Sequence, residues 1–222
     1  MNNNLTELVF ILDRSGSMSG LENDTIGGFN SMLEKQRGVE GDVLISTVLF
    51  DSENKVLHDR VDIRNVRNMT GEDYTVGGCT ALLDALGDTI NHISKVQHNL
   101  PAALRPAKTM FVITTDGQEN SSRRYTYDTV KKMIQEKQKE YDWEFIFLGA
   151  NIDAIATAGS LGISADRATN YCCDSIGTEK NYSAISEAIK NYRCAPACAA
   201  KESLAGWDME IKADFMARKG GK

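Results

Sequence analysis

The feature that most constrains this chain is an apolar run that ends directly in an acidic side chain followed by two hydroxyls. Residues 8–12 are apolar throughout, and Asp13, Ser15 and Ser17 follow them at alternate positions. A short apolar run bounded by turn residues is typical of a buried parallel strand. In open α/β sheets, ligands bind beyond the carboxyl ends of such strands. We therefore expect an α/β fold with a ligand site in the loop after residue 13.

Two later stretches place side chains of the same kind at equivalent points. Thr80 follows a glycine-rich turn and precedes a predicted helix, and Asp116 follows a second predicted strand at residues 108–115. Because parallel strands bring their carboxyl ends to one edge of a sheet, we expect Asp13 and Asp116 to converge. Carboxylate and hydroxyl oxygens are hard donors, which suit a hard divalent cation rather than zinc.

Each of these residues also has an ordinary structural interpretation. Ser15 or Ser17 could cap a helix that begins near residue 20, and Thr80 could cap the helix that follows it. Two facing carboxylates repel, however, by about 3 kcal/mol at a separation of ~5 Å and an effective dielectric of ~20. A divalent cation removes that repulsion, so the combination of Asp13 and Asp116 favours a metal site.

Taken together, Asp13-x-Ser15-x-Ser17, Thr80 and Asp116-Gly117 resemble the metal-ion-dependent adhesion site of the von Willebrand factor A domain family, in its stand-alone prokaryotic type. The resemblance covers roughly residues 5–192. It implies that both serines bind the ion directly, that Thr80 binds directly in the liganded state, and that the two aspartates bind directly or through waters. It also implies that the ion takes a Glu or Asp carboxylate from a partner protein at an open position. Mg²⁺ or Mn²⁺ would serve, and Ca²⁺ fits less well in so small a site.

Five further residues are expected near the ion, where they would form a rim that shapes the choice of partner. Plain surface positions are the alternative for each of them. They are Arg14, Met18, Tyr74, Glu119 and Arg123.

The alternation of apolar strands with helical stripes predicts a doubly wound, Rossmann-like α/β fold. We expect a mostly parallel six-stranded sheet with one antiparallel edge strand at residues 55–62 and helices on both faces. Strands are predicted at residues 6–13, 42–50, 55–62, 108–115, 143–149 and 168–172. Helices are predicted near residues 20–37, after Thr80, at 126–141 with Tyr141 facing inward, after Ala150, and around 182–192.

The pattern changes after residue 192, so we predict a domain at residues 1–192 and a C-terminal extension at residues 193–222. Trp207, Ile211 and Phe215 follow one another at spacings of four, which indicates one apolar stripe on a helix. A helix docked on the domain is the first interpretation of this stripe, and a partner-binding helix is the second.

Composition narrows the classes of partner and compartment. The net charge of −6 argues against nucleic acid and against an anionic membrane as partners, because both need clustered Lys and Arg. No apolar run approaches the ~20 residues of a transmembrane helix, and no signal peptide precedes the first strand.

Five cysteines, an odd number, predict reduced thiols and a cytoplasmic protein. The spacing of Cys172, Cys173, Cys194 and Cys198 matches no standard zinc site, and the oligomeric state is left open.

An enzyme is the principal alternative to a binding module. A strand-end aspartate with magnesium also occurs in aspartyl-phosphate hydrolases, but these need a second carboxylate two residues later, where this chain has Ser15. The glycine-rich nucleotide motifs are absent, and no histidine lies in the three motif segments to activate a hydroxyl. The sequence favours a non-enzymatic, metal-dependent protein-interaction module. A metal-dependent hydrolase or phosphatase, and a metal-binding structural domain without a carboxylate partner, are the alternatives.

Overall fold

The computed structural model describes residues 2–219, which form a six-stranded sheet with helices on both faces. The strand order is β3-β2-β1-β4-β5-β6. All neighbouring strands pair in parallel except β2 and β3, which are antiparallel. The strands are β1 (Asn2–Asp13), β2 (Asp42–Phe50), β3 (Asn54–Asp62), β4 (Pro106–Thr115), β5 (Glu144–Gly149) and β6 (Ala168–Asn170). The predicted fold class is therefore confirmed, including the antiparallel edge strand.

The helices divide between the two faces of the sheet. They are α1 (Glu22–Arg37), α2 (Leu82–Asn99), α3 (Tyr127–Tyr141), α4 (Ala154–Ser160), α5 (Ser175–Cys194) and α6 (Met209–Lys219). One core lies beneath α1, α5 and α6, and the other lies beneath α2, α3 and α4. Within the described residues, no helix combines the length and the apolar character that crossing a lipid bilayer would require.

Strand β1 lies in the middle of the sheet, and both of its faces are buried. Phe10 packs in the first core and Ile11 in the second, because successive side chains of a strand point to opposite faces. The chain leaves β1 for β2 on one side, and β4 pairs with β1 on the other. The order of the strands thus reverses between β1 and β4, which is where an open α/β sheet has its ligand crevice. We call the edge where these strands end, at Asp13 and Thr115, the carboxyl edge.

The opposite edge, where β4 begins at Pro106, we call the amino edge. Here Lys108 is buried, and its ammonium donates to the carbonyl oxygens of Tyr192, Arg193 and Ala195 at 3.0, 2.6 and 2.6 Å. Arg193 is also buried, and its guanidinium donates to the carbonyl oxygens that end α1, including Gln36 at 2.7 Å. Two buried cations therefore close the carboxyl-terminal ends of two helices.

Two details of the predicted elements are wrong. Tyr141, expected to face inward, is 50% exposed, because it is the last residue of α3. The Lys137 ammonium lies 4.9 Å from the centroid of its ring. Trp207 lies before α6 rather than within it, so the apolar stripe begins outside the helix.

The division into two domains at residue 192 stays a prediction. Helix α5 continues through that position to Cys194, and Trp207 and Ile211 are buried in the core beneath α1, α5 and α6. Residues 220–222 of the predicted extension, and residue 1, lie outside the described residues.

Candidate metal centre

Three loops meet at the carboxyl edge of the sheet. The first loop (residues 14–21) follows β1, the second loop (residues 64–81) precedes α2, and the third loop (residues 116–126) follows β4. The first and second loops exchange two backbone hydrogen bonds: Gly16 donates to Gly78, and Gly77 donates to Arg14, at 3.2 and 2.9 Å. The second and third are joined by Thr80 and Asn120, each of which donates a backbone N–H to an oxygen of the other.

The two aspartates of the predicted site are both buried. Asp13 is 1% exposed, and it accepts hydrogen bonds from the Ser15 backbone N–H at 2.7 Å and from the Thr115 hydroxyl at 2.6 Å. Asp116 is 2% exposed, and its Oδ1 accepts from the Ser17 hydroxyl at 2.6 Å. This last bond joins residues 99 positions apart and links the first loop to the third.

The hydroxyls form a chain that ends on a carboxylate. Ser15 Oγ and Ser17 Oγ lie 3.1 Å apart. Because the Ser17 proton is directed to Asp116, the proton between the two serines comes from Ser15. Thr80 is 3% exposed, and a Cβ added to Gly117 would lie 3.2 Å from Thr80 Oγ1 and 3.5 Å from Ser17 Oγ. The structure thus brings all five predicted residues to one edge of the sheet.

None of the three hydroxyls caps a helix. Leu21 and Ala81 occupy the N-cap positions of α1 and α2, and neither cap makes a side-chain hydrogen bond. Ser15 begins a short 3₁₀ turn, but its side chain accepts no hydrogen bond there. By contrast, Asp153 does cap a helix, because its side chain accepts from the Ala156 N–H at 2.9 Å at the start of α4. The capping interpretation therefore holds for Asp153 and not for Ser15, Ser17 or Thr80.

The two aspartates at this edge are buried negative charges that no cationic side chain of the described residues balances. Burial raises the pKa of Asp13, hydrogen bonds from Ser15 and Thr115 oppose that rise, and the negative charge of Asp116 adds to it. Among the described residues, neither aspartate has an ion-pair partner, and the nearby Arg14 is paired with Asp51 at 3.0 Å. Two buried carboxylates without a cation are costly, and a bound cation removes that cost.

The donor set decides which kind of cation fits. In the part of the chain that the structure describes, no group of three or more His, Cys, Asp or Glu side chains could hold a metal ion. A metal at this edge would therefore depend on hydroxyl oxygens beside the two carboxylates. Such an all-oxygen set suits Mg²⁺ or Mn²⁺ better than it suits metals that prefer sulfur or nitrogen.

The five predicted rim residues differ sharply in what they can reach. Tyr74 is 1% exposed and donates its hydroxyl to the Asp13 carbonyl, and Met18 is 6% exposed. Glu119 accepts from the Leu83 N–H at 2.9 Å and from two further N–H groups of its own loop, so it caps α2 from outside the helix. Arg14 is held by Asp51. Arg123 is exposed.

Tyr74 and Met18 are buried, so neither is exposed for direct contact with a partner, and their part in shaping the choice of partner stays a prediction. The hydrogen bonds of Glu119 give it a structural task that its sequence position did not indicate. The physical reason is common to all three: the loops at this edge pack against the sheet and against one another, so many of their side chains point inward.

The structure adds three residues that the sequence analysis missed. Thr115 orients Asp13, Asn120 joins the second and third loops, and Cys173 Sγ lies 3.6 Å from Asp116 Oδ2. Thr115 directly precedes Asp116 at a strand end, which is a signal that could have been used. Burial raises the pKa of the Cys173 thiol to about 12, with the charge of Asp116 adding to the rise, so the thiol is protonated and a poor nucleophile. Nothing in the sequence indicates that Cys173 lies close to Asp116.

Comparison with known proteins supports the fold. No family model matches the sequence, and no curated protein matches it. Solved structures do match, among them a von Willebrand factor type A protein from Catenulispora acidiphila, with 13% identity, a TM-score of 0.54, and coverage of 86% of this chain and 43% of that one. The pilus adhesin SpaC from Lactobacillus rhamnosus GG matches with 13% identity, a TM-score of 0.63, and coverage of 86% and 30%.

A third match is proximal thread matrix protein 1 from the mussel byssus, in a structure whose metal-ion-dependent adhesion site is occupied by zinc. It has 13% identity and a TM-score of 0.57, with coverage of 83% of this chain and 46% of that one. This chain therefore spans less than half the length of these three proteins. At such low identity the matches show a shared fold, which is that of von Willebrand factor A domains.

Proposed function

We propose that this chain is a divalent-metal-dependent protein-interaction module. Asp13, Ser15, Ser17, Thr80 and Asp116 would hold one Mg²⁺ or Mn²⁺ ion, and the ion would accept a Glu or Asp carboxylate from a partner protein. The observation that carries the proposal is the pair of buried carboxylates at the carboxyl edge, which hydroxyls contact and which no cationic side chain of the described residues neutralises.

The donor types explain why such an ion would bind a partner. Hydroxyl oxygens are neutral, so with only two carboxylates the ion would keep enough positive charge to attract a third. Mg²⁺ also tends to keep waters among its ligands, and a water is a position that an incoming carboxylate can take. Among the matched structures, the zinc-occupied site in the mussel protein supports metal binding in this fold. We propose Mg²⁺ or Mn²⁺ here because of the oxygen donors.

Binding rather than catalysis is the role we infer for this edge. His58 lies in the core and contacts Thr47 at 3.0 Å, and His92 contacts Asp59 at 2.8 Å, so neither serves the hydroxyls of the site as a base. The free thiols of all five cysteines support our proposal of a cytoplasmic or similarly reducing setting. For the rim we retain the exposed Arg123 and add the exposed Gln118 and Asn120, which follow Asp116 in the third loop.

Isothermal titration with Mg²⁺ and Mn²⁺ tests the metal site. Asp116→Asn should abolish the binding heat, because it removes a charged ligand without changing the size of the side chain. Asp153→Asn is the matched control: it lies at the same edge, keeps its helix cap, and should bind metal like the unaltered chain. Equal binding in both variants would refute Asp116 as a ligand.

Water-proton relaxation of bound Mn²⁺ tests the open position. N-acetyl-glutamate N-methylamide should displace water from the ion and lower the relaxation enhancement, whereas the matched glutamine compound should not. If Mn²⁺ binds but the two compounds behave alike, the site is a structural metal site without a carboxylate partner. A phosphatase assay with generic substrates and magnesium addresses the enzyme alternative.

A further inference from the structure

The amino edge of the molecule contains a cavity that the proposed metal site does not use. It has a volume of about 330 Å³ and lies between the last turns of α2 and α3, with Arg105 and Trp143 completing its wall. Cavities of this size hold small organic molecules. Because Asp13 and Asp116 lie at the carboxyl edge, the cavity is separate from the candidate metal centre.

The lining of this cavity is basic and contains no carboxylate among the described residues. Lys95 forms no ion pair with the described residues. Arg105 donates to the carbonyls of Leu100 and His98 at 2.9 and 2.8 Å and is likewise without a carboxylate partner. These carbonyls end α2, so Arg105 also stabilises the carboxyl-terminal end of that helix. In a chain of net charge −6, this local excess of positive charge points to an anionic occupant.

Two aromatic side chains supply an apolar wall. Trp143 is 2% exposed and stacks on Phe111 with ring centroids 5.2 Å apart, so its position is fixed by the core. Tyr141 lies 6.5 Å from Trp143, measured between ring centroids, and is half exposed. Rigid aromatic surfaces of this kind favour the binding of a planar ring.

We propose that this cavity binds a small aromatic anion, which is a planar ring that carries a phosphate or carboxylate group. The ring would lie against Tyr141, beside the buried Trp143. The anionic group would face Lys95 and Arg105.

Equilibrium dialysis of the full chain, carried out in EDTA so that no divalent ion contributes, tests this proposal. The probes are 1-naphthyl phosphate, 1-naphthoate and neutral 1-naphthol. We expect at least one anion to bind about tenfold more tightly than naphthol, and the two anions tell phosphate from carboxylate. Lys95→Glu should weaken anion binding by about tenfold, whereas Lys132→Glu, an equal charge change on α3 outside the cavity, should not.

Two results would overturn the proposal. If naphthol binds as tightly as both anions, the cavity recognises an apolar ring and not a charge. If the two glutamate variants bind alike, the anion is held elsewhere on the surface. Because the experiment contains no divalent ion, it fails or succeeds independently of the metal site.

Discussion

The two edges of the sheet bury charges of opposite sign and treat them differently. At the amino edge, the Lys108 ammonium donates to three carbonyl oxygens and the Arg193 guanidinium to several more. At the carboxyl edge, Asp13 and Asp116 accept hydrogen bonds from two hydroxyls, one backbone N–H and one thiol, and burial raises the pKa of Asp13. No described residue forms an ion pair with any of these four side chains.

The comparison shows that a buried charge is not in itself a sign of a functional site. The two cations lie at the ends of α1 and α5, where carbonyl oxygens and the negative end of the helix dipole stabilise them. The two carboxylates lie close to one another and lack such compensation. The amino-edge cations are therefore complete as structural groups, whereas the described residues give the carboxyl-edge anions no partner of opposite charge.

The largest expected effect comes from removing an amino-edge cation. Lys108→Met should lower the free energy of unfolding by about 3 kcal/mol, because it leaves buried carbonyls at the end of α5 without donors. Urea denaturation measures this change, and Lys139→Met, at an exposed position on α3, is the matched control. A loss below about 0.5 kcal/mol would contradict this view of the amino edge, because Lys108 would then contribute little to the stability of the fold.

Magnesium should act on the carboxyl edge with a smaller effect. With a dissociation constant of ~0.1 mM, ~1 mM Mg²⁺ should stabilise the protein by about 1.4 kcal/mol. Thermal unfolding with and without EDTA measures the gain. Asp116→Ala should abolish it, whereas Lys108→Met should keep it despite its lower stability. An unchanged response in Asp116→Ala would show that the ion binds elsewhere.

In the absence of metal, removing a carboxyl-edge charge should raise the free energy of unfolding, whereas removing an amino-edge charge lowers it. In EDTA, Asp116→Asn should raise the free energy of unfolding by about 1 kcal/mol, because it relieves the repulsion with Asp13 and keeps an acceptor for Ser17. In saturating Mg²⁺ the same variant should be less stable than the unaltered chain. Chemical denaturation under both conditions measures the crossover, and destabilisation in EDTA would contradict the idea of uncompensated charge.

Acid should loosen the second loop before the segment that follows α5, with an effect of about 1 kcal/mol or less. In the second loop, hydrogen bonds from the Arg67 guanidinium hold the pKa of Asp73 below its ordinary value, and Thr70 adds to this. The stabilisation is therefore complete above about pH 4 and is lost as the pH falls through the lowered pKa. Lys108 and Arg193 stay protonated in acid.

Hydrogen exchange, corrected for its intrinsic pH dependence, measures this difference between the two segments. Amides of the second loop should lose protection below pH 4, while those that follow α5 should not. Asp73→Asn should show the loosened second loop already at pH 7. Equal loss of protection in both segments would mean that acid acts on the whole fold and not on Asp73.

The fold and the set of converging residues could be predicted from the sequence because both depend on repeated local patterns. Apolar strands such as residues 8–12 alternate with helical stripes, and parallel strands necessarily bring Asp13 and Asp116 to one edge. The spacing of Ser15 and Ser17 needed no knowledge of distant contacts.

What could not be predicted depends on contacts between distant segments. Cys173 lies 57 positions from Asp116, and nothing in its neighbours indicates their approach. Glu119 looked like a surface residue because its role as a cap belongs to a helix about 36 positions earlier in the chain. The burial of Tyr74 likewise follows from the packing of the second loop beneath Asp13. Local pattern carries none of this information.

The chain of hydroxyls at the carboxyl edge has a consequence for how quickly an ion could enter. Ser15 donates to Ser17 and Ser17 donates to Asp116, so each serine oxygen keeps at least one lone pair free. Because both protons have acceptors close by, neither hydroxyl would have to ionise on contact with a cation. The folded chain would thus orient the serine hydroxyls before a cation binds. The rate of binding would then be limited chiefly by how fast the ion loses its own water.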